Sequence, residues 1–157
     1  TGTGAIALVL AREQPRWHVT AVDVNADAVA LAKRNQQRYQ VANLTILQSD
    51  WYQALAGLVF DLIVSNPPYI DGAAPELQVG DVQFEPKSAL VADDAGLADI
   101  RQILLGCQQH LAQGGWLLVE HGYDQAESVQ QLFVAAGFQR IRTVTDFGQQ
   151  PRFTLGQ

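Results

Sequence analysis

Short β-branched runs alternate with amphipathic helical runs along most of this chain, and no other feature restricts its fold as much. A glycine turn opens a helical pattern over 4–13, which closes before Pro15. A strand pattern follows over 18–23 and ends on Asp23. Asn25 is placed to cap a helix running through Gln37, with Val29 and Ala32 facing inward and Lys33 and Arg34 outward. Strands are predicted over 44–47 and 59–65. The proline-rich stretch from Asn66 to about Asp94 has no strong helical period, and a connection that long inside a compact domain is usually functional. A helix over 95–112 then ends ahead of Gly114-Gly115, followed by a strand over 116–120, a helix over 125–136 and strands over 138–144 and 152–155.

Strands separated by helices of ten or more residues require crossover connections, hence an α/β fold with a mostly parallel sheet and helices on both faces. The last two strands are close in sequence and joined by the turn-prone Asp146-Phe147-Gly148, which predicts an antiparallel pair at one edge. Ligands of such sheets bind beyond the carboxyl ends of the strands. Asp23, Asp50 and Asn66 stand where strands run out.

Composition narrows the function classes. The chain has 157 residues, the size of one domain, and its single cysteine, Cys107, excludes a disulfide-stapled scaffold. The longest clean apolar run, Ala5 to Ala11, is far short of the roughly 18 residues that span a bilayer, so no membrane partner is expected. Lys+Arg number 10 against Asp+Glu 16, and the resulting charge of −6 has the wrong sign for gripping a phosphate backbone; direct nucleic-acid binding is not expected. Neither a metal spacing of Cys and His, nor a Ser–His–Asp set, nor a phosphate loop with lysine is present.

Three constellations carry chemistry. Gly2 and Gly4 precede a helix, where a tight turn lets backbone N–H donors approach a ligand. Gly2-x-Gly4-x-x-Ala7 with Asp23 about 20 residues on suits a dinucleotide and S-adenosylmethionine equally, with Asp23 directed at ribose hydroxyls; a ligand-free glycine cap is the plain alternative. Asp50-Trp51 offers a carboxylate to an adenine amino group and an indole face to its ring, or else is an acidic loop beside a core tryptophan. The decisive run is Ser65-Asn66-Pro67-Pro68-Tyr69-Ile70. Two prolines fix the backbone and remove two donors, leaving nearby carbonyls as outward acceptors. The Asn66 amide oxygen adds an acceptor and Tyr69 a flat ring. Such a set suits a planar group bearing NH₂, a carboxamide or an exocyclic base amine, held by both hydrogens while its nitrogen meets an electrophile.

On these residues the chain resembles class I S-adenosylmethionine-dependent methyltransferases of the amino-group type: Thr1-Gly2-Thr3-Gly4, Asp23, Asp50-Trp51 and Asn66-Pro67-Pro68-Tyr69. Gly80-Asp81-Val82-Gln83-Phe84-Glu85-Pro86, Ala89-Leu90, Gly96-Leu97, Leu118-Val119-Glu120-His121-Gly122 and Asp146-Phe147-Gly148 with Arg152 are similar to the HemK/PrmC branch in particular. The resemblance implies methylation of the glutamine side-chain amide in the Gly-Gly-Gln motif of peptide chain release factors. It implies a Rossmann-like sheet ordered 3-2-1-4-5-7-6 with strand 7 antiparallel. Thr1, Gly2, Thr3, Gly4, Asp23, Asp50, Trp51 and Asn66 would meet the cofactor S-adenosylmethionine. Asn66, Pro67, Pro68 and Tyr69 would be catalytic and, with Phe84 and Glu85, would bind substrate. A cytoplasmic monomer without a metal is expected. The family pattern has Asp-Leu-Gly ahead of Thr1 on a central first strand, so residues 1–157 are expected to be a catalytic domain cut short at its N-terminus.

Three rivals stand beside this reading: a nucleic-acid exocyclic-amine methyltransferase with the same Asn-Pro-Pro-Tyr chemistry, a nicotinamide oxidoreductase lacking a paired proton donor, and a non-catalytic interaction module. Glu85 also suits an exposed loop carboxylate. Glu120 and His121 are expected to form a hydrogen-bonded structural pair, His18 and His110 to lie at the surface or rim, and Cys107 to sit in the core.

Overall fold

The computed structural model describes residues 1–74, 77, 86 and 89–157. They form two compact units, 1–58 and 59–157.

The first unit is α1 (Ala5–Glu13), β1 (Val19–Asp23), α2 (Ala26–Arg38) and β2 (Leu44–Gln48). β1 and β2 pair in parallel, with Ala21 opposite Ile46 and Asp23 opposite Gln48. Every second strand residue faces the same side. On that side Ala21, Leu44 and Ile46 join Ala7, Leu8 and Ala11 of α1 and Val29 and Ala32 of α2 in one buried cluster. The small residues Ala7, Ala11, Ala21 and Ala32 allow the helices to sit close to the sheet. Asn25 caps α2 as the sequence predicts, its side chain accepting the Asp27 N–H at 2.8 Å. Lys33 and Arg34 are exposed.

The second unit contains β3 (Phe60–Ser65), β4 (Ile70–Asp71), β5 (Val91–Ala92), a single distorted turn α3 (Asp93–Gly96), α4 (Ala98–Cys107), β6 (Leu111–Glu120), α5 (Ala126–Ala135), β7 (Arg142–Thr145) and β8 (Pro151–Gly156). Four strands form one sheet in the order β3-β6-β8-β7. β3 and β6 are parallel, while β8 runs antiparallel to both β6 and β7. The antiparallel edge pair expected from the sequence is therefore present. Ile100, Ile103, Leu104 and Cys107 of α4 are buried, as are Leu117 and Val119 of β6, Val129 and Phe133 of α5 and Leu155 of β8.

Three boundaries differ from the expected ones. The helix predicted over 95–112 is confined to Ala98–Cys107. The His110 N–H closes on the Cys107 carbonyl, and the His110 carbonyl accepts the Phe60 N–H at 2.8 Å, so the chain enters β6 at Leu111. Ahead of that helix, Asp94, Ala95 and Gly96 all have positive φ (56°, 52° and 80°), which no right-handed helix admits. The strand predicted over 138–144 begins its ladder only at Arg142, because Arg140 turns left-handed (φ 51°) after Gln139 has paired with the Gln157 backbone. Within the stretch expected to be irregular, β4 and β5 make a two-residue parallel pair.

Candidate active site

In the first unit the glycine turn and the end of β1 form one hydrogen-bonded structure. Gly4 has φ 80°, and its N–H closes a turn onto the Thr1 carbonyl at 2.9 Å. Only glycine takes this conformation without strain, and a Cβ here would lie 3.1 Å from the Ala32 Cβ. The Thr3 carbonyl accepts the Asn35 side-chain amide of α2 at 2.9 Å. Asp23 binds the turn from the strand side: Oδ2 accepts the Gly2 N–H at 2.8 Å, and Oδ1 accepts the Asn25 N–H at 2.9 Å. Two carboxylate oxygens offer about four acceptor positions, so capacity for a ligand hydroxyl remains beside the loop contacts. Thr1, Gly2, Thr3, Gly4 and Asp23 are thus brought together.

Asp50 lies exposed beyond the end of β2. It borders a shallow recess of about 400 Å³ lined by Val24, Gln48, Ser49, Asp50, Gln53 and Ala54. The Gln53 amide donates to Asp50 Oδ2 at 2.9 Å. Trp51 is half-buried, with φ 46° and its carbonyl accepting the Ser49 hydroxyl at 2.9 Å. Val24, 65% exposed beside Asp23, supplies apolar surface that sequence reading overlooked. Its signal is local: an apolar residue directly after a strand-end acid. A polar rim with an apolar wall fits a nucleoside.

In the second unit β3 delivers Asn66 to its carboxyl end. Asn66 is exposed, Pro67 is buried, and Pro68 and Tyr69 are half-buried. The Asn66 side chain bonds no described residue, which leaves its acceptor oxygen available. The loop behind it is well anchored. The Tyr69 hydroxyl donates to Glu120 Oε1 at 3.3 Å, the Tyr69 carbonyl accepts Gln125 Nε2 at 3.0 Å, and the Ile70 N–H bonds the Leu90 carbonyl at 2.9 Å. Gln125 and Gly96 are the neighbours that sequence reading missed as parts of this loop's support. Phe84 and Glu85 lie outside the described residues.

Several expectations about the remaining residues change. Glu120 and His121 are not bonded to each other. Glu120 takes the Tyr69 hydroxyl, whereas His121, fully buried, bonds the Gly122 carbonyl through Nδ1 at 2.8 Å and the Thr154 hydroxyl through Nε2 at 2.9 Å. Glu120 ends β6, and His121 lies just beyond it with its N–H on the Arg152 carbonyl. His110 is buried rather than at the rim, held where the chain passes from α4 into β6. His18 is exposed, bonded to Thr45 Oγ1 at 3.2 Å. Cys107 is buried as expected, and burial pushes its thiol up to about 11, which makes it inert at neutral pH. Among the described residues no cluster of His, Cys, Asp and Glu could hold a metal ion, and no helix is long and apolar enough to cross a membrane.

A family model described as a methyltransferase small domain matches residues 1–113. The release factor glutamine methyltransferase of Escherichia coli K12 is 54% identical over the whole chain, which covers 57% of that protein. The protein of the same name from Shewanella oneidensis is 50% identical, with 55% of it covered. The chain therefore spans little more than half the length of these relatives. Among solved structures, a methyltransferase from Pyrococcus furiosus superimposes with a TM-score of 0.74 at 17% identity, over 99% of this chain and 70% of that one. The hMettl16 catalytic domain in complex with an RNA hairpin (the MAT2A 3′UTR hairpin 1) gives 0.75 at 18% identity, over 99% and 60%. At such identities the likeness is one of fold, the Rossmann-like α/β fold of class I methyltransferases.

Proposed function

This chain belongs to the methyltransferase small-domain family, and from that premise we propose that it carries the catalytic part of an enzyme methylating the side-chain amide of the Gly-Gly-Gln glutamine in peptide chain release factors. S-adenosylmethionine would supply an electrophilic methyl group. Residues of the first unit suit its nucleoside: Asp23 has acceptor capacity for ribose hydroxyls, Asp50 can accept from the adenine amino group, and Val24 offers an apolar wall. The turn Thr1-Gly2-Thr3-Gly4 brings backbone donors to the same strand end. Trp51, with its half-buried ring, is assigned to the adenine side, and Asn66 to both cofactor and acceptor.

The reading is carried by Asn66, exposed at the end of β3 with its side chain bonded to no described residue, ahead of two prolines and an anchored Tyr69. An amide nitrogen is a poor nucleophile because its lone pair is delocalised. The Asn66 side-chain oxygen and the Pro67 carbonyl accept its two hydrogens, fixing the nitrogen's direction and favouring the localised lone pair as attack proceeds. Tyr69 covers the amide plane. Phe84 and Glu85 are assigned to the substrate's backbone. Protein rather than nucleic acid is the favoured acceptor, since the chain's charge is −6 and its relatives at 50–54% identity carry the release-factor name. The working unit is proposed to be a cytoplasmic monomer.

Incubation of the full-length protein with S-adenosylmethionine and either release factor or DNA, followed by mass spectrometry, tests the assignment. A gain of one methyl on the Gly-Gly-Gln peptide supports it. Methylated adenine with unmodified release factor transfers the function to the rival, and no methylation of either leaves the non-catalytic reading.

A further inference from the structure

The side chain of Gln125, at the start of α5, uses its whole amide to join three separate parts of the second unit. Oε1 accepts the Gly122 N–H at 2.8 Å, while Nε2 donates to the Tyr69 carbonyl at 3.0 Å and to the Ala95 carbonyl at 2.9 Å. One donor and two acceptors surround it, so the orientation of the amide is fixed by its partners. Glutamate could keep only the first contact, and leucine none.

The Ala95 carbonyl belongs to the left-handed run Asp94-Ala95-Gly96. Positive φ at Asp94 and Ala95 is strained backbone, which persists only where its surroundings enforce it and which collects at functional sites. Gly96 packs so tightly against the Tyr69 carbonyl that any Cβ would collide with both Tyr69 O and Gln125 Nε2. The Tyr69 hydroxyl is meanwhile held by Glu120. Tyr69 is therefore gripped at its carbonyl and at its ring tip. Between Tyr69 and Asn66 lie only Pro67 and Pro68, whose φ angles are locked. A constraint on the Tyr69 carbonyl is thereby passed to Asn66 with few free torsions in between.

We infer that Gln125, backed by the left-handed turn at Gly96, is a positioning residue that sets the Asn66-Pro67-Pro68-Tyr69 loop for amide methylation. It rests on the function proposed above. Gln125 touches neither substrate nor cofactor in this role; it acts through Tyr69.

The test uses the full-length protein with Gln125→Glu and Gln125→Leu. Misplacing an aligned nucleophile by about 1 Å costs roughly 10²-fold, so kcat on release factor should fall by between about 10-fold and 10²-fold. S-adenosylhomocysteine affinity should fall far less than kcat, since Asp23, Asp50 and the glycine turn are untouched and Asn66 alone among the assigned cofactor residues shifts. For Gln125→Glu the deficit should shrink as pH is lowered, because a protonated carboxyl regains one donor for the two carbonyls. Hydrogen exchange at the Ile70 amide should quicken in both variants. Wild-type kcat in both variants overturns the inference, as does a deficit in Gln125→Glu that is independent of pH. Loss of the whole fold in both variants also overturns it, since Gln125 would then support the unit at large. If the wild-type protein methylates no release factor, the functional reading fails separately. Hydrogen exchange then decides positioning alone: unchanged protection of the Ile70 amide refutes it, and quickened exchange upholds it.

Discussion

Asp23 accepts the backbone N–H of Gly2 at 2.8 Å. The acid that ends β1 and the glycine turn that opens α1 are thereby a single unit, and the same carboxylate also takes the Asn25 N–H ahead of α2. One side chain fixes the turn, the strand end and the entrance to the next helix. A group that shapes the loop and, in the proposed function, also meets ribose hydroxyls has two ways of affecting cofactor binding.

Asp23→Ala is expected to weaken S-adenosylhomocysteine binding by about tenfold or more, because hydrogen bonds to a charged group are each worth roughly 1.5–3 kcal/mol. Asp23→Asn, which keeps one acceptor oxygen, should fall between the two. Calorimetric titration checks this, and equal affinity in all three proteins removes Asp23 from the cofactor site.

Asn66→Ala should lower turnover on release factor by roughly 10²-fold with a much smaller loss of cofactor affinity, if the amide oxygen acts mainly in the transition state. Single-turnover methylation read beside calorimetry separates the effects. A rise in KM at constant kcat would reassign Asn66 to simple substrate binding.

Gly4→Ala places a Cβ at φ 80° and 3.1 Å from the Ala32 Cβ. The left-handed conformation costs alanine about 1–2 kcal/mol, and α2 can give way only by loosening the small-residue contact. Denaturant unfolding should show a loss of at least that size.

Burial holds His121 below its ordinary pKa, with Arg152 acting in the same direction and the Gly122 carbonyl and Asp124 opposing. The sign follows from proton binding. Between the lowered folded value and about 6.5, the unfolded chain binds more protons, so stability rises with pH through that window and levels off above it. The thermal midpoint should therefore fall as pH drops below about 6.5. His121→Gln, with no titrating ring, should lose less over the same interval. Identical slopes would refute the assignment. Asp146, held below its usual value, loses its contribution only further into acid.

The neutral ring has a defined direction. The Gly122 carbonyl can only accept, so the proton sits on Nδ1 and Nε2 accepts from Thr154. Thr154 in turn accepts from Thr143, which accepts the Gln130 amide at 2.7 Å. Nothing in the order of residues 121, 130, 143 and 154 announces this chain, because α5, β7 and β8 must assemble before its members meet.

Local signals were enough to read the helices of the first unit and the places where β1, β2 and β3 end. Asn25 caps α2 through its own neighbour at position 27, and the apolar stripe of Val29 and Ala32 is a matter of helical period. Asp23, Asp50 and Asn66 could be singled out because period and breakers say where a strand stops. The same signals failed at 95–112 and 138–144. There the boundaries are set by what the chain pairs with: Phe60 draws His110 toward the sheet, and Gln157 holds Gln139 short of the β7 ladder.

The α/β alternation, the capped helices and the motif Asn66-Pro67-Pro68-Tyr69 are all legible in residue order, because each depends on residues within a turn or a strand of one another. What holds that motif in place becomes visible once the chain is folded. Gln125 and Ala95 lie 56 and 26 positions from Tyr69 in the chain, and a glutamine at a helix start or a glycine after two left-handed residues has no local signature. Their meaning is a close approach in space, which hydrogen-bond satisfaction and excluded volume enforce only after folding has brought the three segments together.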